Sequence, residues 1–485
     1  MFLYPYFTRR SLTAPLTMVV AVITAATLST ARAEHVDDRL LTLKQTVNTA
    51  QRNDPWLAGN KHQQNAIAAM GIAAGTMDDP RISIGLANLA TDRLNFAQEG
   101  MTQVKLGISQ MLPRGDTLAI KQQQLAQLSS QHPHQRQDRK ANIAVIVSHL
   151  WLDSYQAQRS INLIEQNRAL FEQLADIAQA NYASAIGKTR QQDIVRAQLE
   201  LTRLEDRLTQ LHQQQETATQ QLSQWLSNDF SQYYAPSATI NDGFEVAHHT
   251  LPSTLPDIAL LQPTLYEPGT PVTQEQLYLQ LTRHPAVKAV EQKIKASHSA
   301  ITLAKQKYQP QWGVNASYGY RDNTPAGGSR SDFLSVGVSF DLPLFTNNRQ
   351  DQQVQAAVST NEAIKTQKWL LLRQRMAAFK SARAQLLRLN QRLERYQSQI
   401  LVQTHEQAEA SLTAYTNDDG DFAEVARARI GELNSQIDTL AIAVQRQKVI
   451  IQLNYYFSAD TSVIIANHTH AKNTNPQNTF QEEQQ

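Results

Sequence analysis

Histidines and carboxylates are the first residues to ask about chemistry, because they hold metals and move protons near neutral pH. Three histidine pairs stand out: His132 and His134 around Pro133, His248 beside His249, and His468 with His470. None has a carboxylate at ligand spacing, and they fall in an expected helix break, a linker and a tail. They read as solvent-exposed histidines, so no resident metal is expected. The 485 residues include no cysteine, which excludes disulfides, thiolate metal centres, cysteine nucleophiles and a lipid-modified N-terminal cysteine. No Ser/His/Asp set, phosphate-binding glycine loop or paired-carboxylate motif is present, so the chain reads as a non-enzyme needing no cofactor. One acidic turn differs. Asp418, Asp419, Asp421 and Glu424 crowd a short segment, and Asp193 occupies the matching place earlier. Carboxylates ringed around a pore select for cations and repel one another. The plainer reading is a solvated turn before a helix N-terminus, where acids are favoured anyway.

The elements that position these residues come in two copies. Pro55, Pro80 and Pro113 recur as Pro285, Pro310 and Pro343, each 230 positions later. Gln51 to Pro55 faces Leu281 to Pro285, and Arg196-Ala197-Gln198 faces Arg427-Ala428-Arg429. This pattern predicts a first repeat over 34–227 and a second over 274–457. Between them, 228–273 is a proline-rich irregular linker. The polar stretch 458–485 reads as a disordered tail.

Residues 1–33 read as an export signal. Arg9 and Arg10 precede the uncharged apolar run Pro15 to Leu28, and Ala31-Arg32-Ala33 supplies a small-x-small cleavage site. The other reading is a membrane anchor, for which the apolar run is short. The segment holds three of the 45 basic residues and none of the 43 acidic ones, so its removal leaves a net charge of −1. That balance gives no global pull toward nucleic acid.

Within each repeat the predicted order is helix, two strands, long helix, turn, helix. Leu40 to Thr76 and Gln274 to Lys307 are helical, and then the period becomes two. Ile82, Ile84 and Leu86 alternate with small residues, and Val104, Leu106 and Ile108 with Lys105, Gly107 and Ser109. Trp312, Val314, Ala316, Tyr318 and Tyr320 alternate with small or polar residues, and finally so do Leu334, Val336, Val338, Phe340 and Leu342. An apolar face opposite a small or polar one fits a barrel wall with lipid outside and water inside, or else a half-buried soluble hairpin. Trp312, Tyr318, Tyr320, Phe333 and Phe340 suit interfacial belts. Four strands cannot close a barrel, and bare edges are not tolerated in lipid. Three copies supply twelve strands, so a homotrimer in contact with outer-membrane lipid is expected.

After Pro113 and Pro343 come helical segments spanning about 100 Å each at 1.5 Å per residue. Ile194, Ala197, Leu201, Leu204, Leu208 and Leu211 step by three and four, as do Ala426, Ile430, Leu433, Ile437, Leu440 and Val444. Such stripes predict coiled-coil packing. Pro133 should kink or interrupt the first long helix.

The whole layout resembles the TolC-type outer-membrane efflux family. The likeness is carried by the duplication, by Gln110-Met111-Leu112-Pro113 and Asp341-Leu342-Pro343-Leu344-Phe345, and by two helix-tip patterns. These run from Tyr182 through Gly187 to Asp193-Ile194 and Arg196-Ala197-Gln198, and from Tyr415 through Gly420-Asp421-Phe422 and Glu424-Val425 to Arg427-Ala428-Arg429. The resemblance implies a trimeric 12-stranded outer-membrane barrel, four strands per chain, continued by a long periplasmic α-barrel. It also implies a periplasmic adaptor and an inner-membrane efflux transporter as partners. Leu342 to Gln350 looks like the branch serving cobalt–zinc–cadmium or copper–silver pumps, which slightly favours metal cations over drugs as cargo. By resemblance Asp193 and Glu424 fall at gate carboxylates, whereas Arg427 stands where relatives are often acidic. A pore-less periplasmic adaptor or scaffold is the alternative, and it would call for a lipoyl-like β-domain that is not found.

Overall fold

The computed structural model describes residues 40–183, 190–227, 250–266, 272–417 and 421–457. The expected signal, the tail, His248, His249, His468 and His470 lie outside them. Helix α1 (Leu43–Asn53) starts at a capping box: Gln45 N donates to the Thr42 hydroxyl, and the Gln45 side chain accepts from Thr42 N. Helix α2 (Pro55–Ala74) opens on a proline, whose missing N–H costs nothing in a first turn, and Asp54 caps it. After the hairpin β1 (Arg81–Ala87) and β2 (Gln103–Met111) come the long helices α3 (Thr117–Ala183) and α4 (Gln191–Leu226).

The second copy repeats this order. Helix α5 (Gln274–Thr282) precedes α6 (Pro285–Lys305), again with proline first, and His284 takes the place of Asp54 as cap. Strands β3 (Gln311–Tyr320) and β4 (Phe333–Asp341) follow. Helix α7 (Gln350–Arg395) runs through a π-helical turn, Tyr396–Ile400, into α8 (Leu401–Thr416). Helix α9 (Phe422–Phe457) closes the described chain. The fold is therefore mainly helical, with one antiparallel sheet in the order β1-β2-β3-β4.

The main core gathers α1, α3, α7 and α9 around Trp151, Leu152, Phe379 and Ile451. Trp151 satisfies its indole N–H on the Leu41 carbonyl at 2.9 Å. The described part of the linker is irregular yet pinned. Ile258 and Tyr266 are buried, Ile258 N donates to the Gln447 side chain, and Asn454 both accepts from Leu261 N and donates to the Ala259 carbonyl. Gln447 and Asn454 are thus buried polar residues of α9 that replace a strand ladder for the linker backbone.

Two expectations are corrected here. Pro133 does not interrupt α3, which is helical on both sides of it. Neighbours clamp the helix there: Ser129 donates to the Gln64 carbonyl, Arg136 donates to Asn60 and Gln64, and Ser299 donates to Gln127. His132 is buried, not solvent-exposed, and both its ring nitrogens lack a partner among the described residues. Burial and the nearby Arg136 charge lower its pKa, so it sits there as a neutral ring.

Where α3, α6, α7 and α9 meet, a polar cluster is buried. Tyr455 donates to Asp138 at 3.0 Å, Arg375 donates to the Tyr455 hydroxyl at 3.1 Å, and His284 Nε2 lies 3.1 Å from the Tyr455 carbonyl. Burial, with Arg375 beside it, drives the His284 pKa down to about 3, and burial lifts Tyr455 to about 12. The sign of the linkage follows. An unfolded histidine takes a proton below its ordinary pKa, whereas folded His284 does not until about 3. Stability is therefore lost as pH falls through that window, by up to about 1.4 kcal/mol per pH unit. Asp138, whose carboxyl burial pushes upward, acts in the opposite sense. Comparing His284→Gln with the parent isolates the histidine. Its denaturant midpoint is expected to fall less steeply between pH 6.5 and 4.5, and parallel curves for the two proteins would refute the assignment.

Candidate functional site

Two places carry the functional reading: the faces of the sheet and the turns at the far ends of the long helices. In the sheet, pairing places Ile84, Leu106, Tyr318 and Leu334 in one row and Ile82, Ile108, Ala316 and Val336 in another. These rows share a face that is bare. Ile84 is 77% exposed, and Leu334 and Val336 are each 76% exposed, far more than isolated surface residues explain. Trp312 and Phe340 pack on each other at its lower end, with ring centroids 4.8 Å apart.

The opposite face is built of Arg81, Ser83, Gly85, Lys105, Gly107, Ser109, Asn315, Ser317, Gly319, Ser335, Gly337 and Asp341, as the same ladders require. Two of its glycines lie under neighbouring polar side chains. A Cβ on Gly107 would meet Ser83 Oγ at 2.7 Å, and one on Gly337 would meet Asn315 Oδ1 at 2.8 Å. Phe333 is the correction on this sheet. It pairs with Gly319 on the small-residue face, and Arg321 stacks over its ring at 3.9 Å, so it is no part of the apolar belt. Strands β1 and β4 each have one edge without a partner strand in the sheet.

The far ends hold the acidic candidates. Asp418 and Asp419 lie outside the described residues. Asp193 is buried, and its Oδ2 accepts from Arg190 N at 2.8 Å, so this carboxylate closes the start of α4 and does not face open solvent. Asp421 caps α9, accepting from Ala423 N at 3.2 Å. Glu424 in the first turn of α9 and Arg427 in the second are both exposed. Leu174, Ala197, Phe422, Val425 and Ala426 bury one another, which locks the α3–α4 and α8–α9 ends together. Among the described residues, Arg429 is paired away from Asp421 and Glu424. It binds Glu409 at 2.6 Å and Glu432 at 3.0 Å, and Glu432 in turn holds His405 at 2.7 Å and raises its pKa.

Among the described residues no helix is long and apolar enough to cross a membrane, and no group of three or more metal-binding side chains gathers. The four-stranded sheet and the paired long helices together make a fold that solved outer-membrane channels share. The chain is similar to the CusC structure, whose subject is folding and transmembrane channel formation, at 12% identity and a TM-score of 0.66, covering 86% of this chain and 92% of that one. It is similar to the Campylobacter jejuni CmeC outer membrane channel at 13% identity and a TM-score of 0.66, over 87% of each chain. The open-state Neisseria gonorrhoeae MtrE outer membrane channel matches at 13% identity and a TM-score of 0.62, over 86% of this chain and 88% of that one. No family model and no curated relative matches the sequence. At these identities the likeness establishes the fold, which these solved channel structures share.

Proposed function

We propose that this chain is one subunit of a passive exit duct in an outer membrane. Three copies close a 12-stranded barrel, and their long helices extend it through the periplasm to meet a periplasmic adaptor and an inner-membrane efflux transporter. The observation that carries this reading is the sheet itself: one whole face of large apolar side chains is bare, and both edges are open. In water such a surface would aggregate, whereas in a closed barrel lipid covers the face and neighbouring copies pair the edges. The test is fractionation. The protein should extract with outer membranes as a trimer that dissociates on heating in detergent, and a monomer released with the soluble periplasm would favour the scaffold alternative. The preference for metal cations stands on the resemblance of Leu342 to Gln350 alone.

The gate is placed at the helix ends, where three-fold symmetry would turn Asp418, Asp419, Asp421, Glu424 and Arg427 into rings. Asp193 contributes by holding the α4 end in shape. With Arg429 paired to Glu409 and Glu432, Arg427, one turn beyond Glu424 on the same helix, is a cation placed to bridge protomers. Arg427→Ala should therefore raise single-channel conductance in planar bilayers, because unbalanced carboxylates push the ends apart. Glu424→Ala should shift selectivity away from cations. If Arg427→Ala conducts like wild type and Glu424→Ala leaves selectivity unchanged, the gate lies elsewhere.

A further inference from the structure

Every charge on the sheet sits on one face. The four strands contain three charged residues, Arg81, Lys105 and Asp341, and all three fall in the small-residue rows, opposite the apolar belt. The negative one is not free. Asp341 forms an ion pair with Arg114, just below the barrel, and also accepts from Gln311 N at 2.7 Å. Arg114 is tied down by the same contact and donates as well to the Gln309 carbonyl at 3.0 Å. Arg81 and Lys105 have no such counter-ion. Both are exposed, and neither forms an ion pair among the described residues. Lys105 faces Gly85 on one side and Gly319 on the other, so no neighbouring side chain across the ladder shields its ammonium.

We infer that Arg81 and Lys105 make the barrel section of the duct a cationic collar that favours anions and cargo carrying negative charge. This rests on the duct reading, since only closure of three copies turns the two residues into rings. The pairing Arg81↔Ser109 and Gly85↔Lys105 separates the two levels by four residues, about 13 Å along the strand. At physiological salt the screening length is about 8 Å, so each level controls its own stretch of pore, and a water-filled wall backed by lipid screens it less than open solution does. The collar opposes the acidic helix ends, with which it acts in series. A bare divalent cation is therefore not the ion this barrel section favours. The fit is better for an organic anion, or for a cargo whose metal travels as an anionic complex.

The experiment is the permeability ratio of chloride to potassium for detergent-extracted protein in planar bilayers under a salt gradient. Lys105→Gln and Arg81→Gln should each lower the ratio by at least about twofold, and Lys105→Glu should lower it further. Asp341→Asn, which removes the sheet's negative charge and releases Arg114, should raise it. Trimer assembly of each variant is checked by size, and because the predicted shifts have opposite signs, loss of one variant leaves the others to decide. A wild-type protein that never conducts would overturn the duct reading itself. A conducting wild type whose ratio is unmoved by Lys105→Gln, Arg81→Gln and Asp341→Asn would overturn the collar and leave the duct standing.

Discussion

Leu204→Asp is expected to unfold the lower half of the helical body. Leu204 is buried in a cluster with Ile161, Ile164, Phe171, Leu208, Leu433 and Ile437, so it joins three long helices, α3, α4 and α9. The exchange removes a leucine from a packed site, worth about 2–5 kcal/mol, and adds a carboxylate beside Arg168, which lines the same cavity but is already held by Glu165, Glu172 and Glu205. The acid would have to take a proton or drag water inward, and either route adds to the cost. Leu440 stands in the second stripe but is only partly buried against the main core, so Leu440→Asp should be milder. Leu199, on the same helix as Leu204 and 46% exposed, provides the control: Leu199→Asp should stay within about 0.5 kcal/mol of wild type. The readouts are protease resistance and the denaturant midpoint. A Leu204→Asp protein as resistant as Leu199→Asp would mean that the apolar stripe does not hold these helices together.

Those stripes were legible because a helix reports its buried side at intervals of three and four. Ala197, Leu204 and Leu208 are buried, with Ile194, Leu201 and Leu211 half-buried, while most residues between them are exposed. The sheet was legible for a similar reason, its period of two being the period of a strand's faces. What escaped depends on partners far away in sequence. His132 reads as exposed when judged by its polar neighbours on α3, yet it is buried where α2 packs on that stretch. Pro133 is a breaker by local rules, and tertiary clamping overrides them. Asp193 shows the limit at the proposed gate. Its type and place in the turn were readable, but whether it faces a pore or the backbone N–H of Arg190 depends on its side-chain conformation, which composition does not encode. Phe333 directly precedes Leu334, so the period of two itself puts it on the small-residue face, and its pairing with Gly319 holds it there. The π-helical turn at Tyr396–Ile400 has no local signal that we can name.

The assignment of faces can be tested with one charge moved by one residue. Val336 lies on the bare apolar face in the row of Ala316 and Ile108, near the middle of β4. If lipid covers that face, Val336→Arg places a guanidinium near the bilayer midplane, which costs about 2–4 kcal/mol per chain in a barrel wall. Three-fold assembly repeats that cost in every copy. The neighbouring Gly337 is a less clean control, because a side chain there would displace the Asn315 amide, whose Oδ1 a Cβ would meet at 2.8 Å. Ser335 serves better: it is exposed, lies in the small-residue row opposite Ser317, and an arginine there would extend into the water-filled side. Trimer yield in outer membranes should therefore collapse for Val336→Arg and stay near wild type for Ser335→Arg, whose effect should appear as altered conductance. Equal assembly defects in both variants would show that the apolar face is not turned toward lipid, and a normal yield for Val336→Arg would show that it is not in the membrane at all.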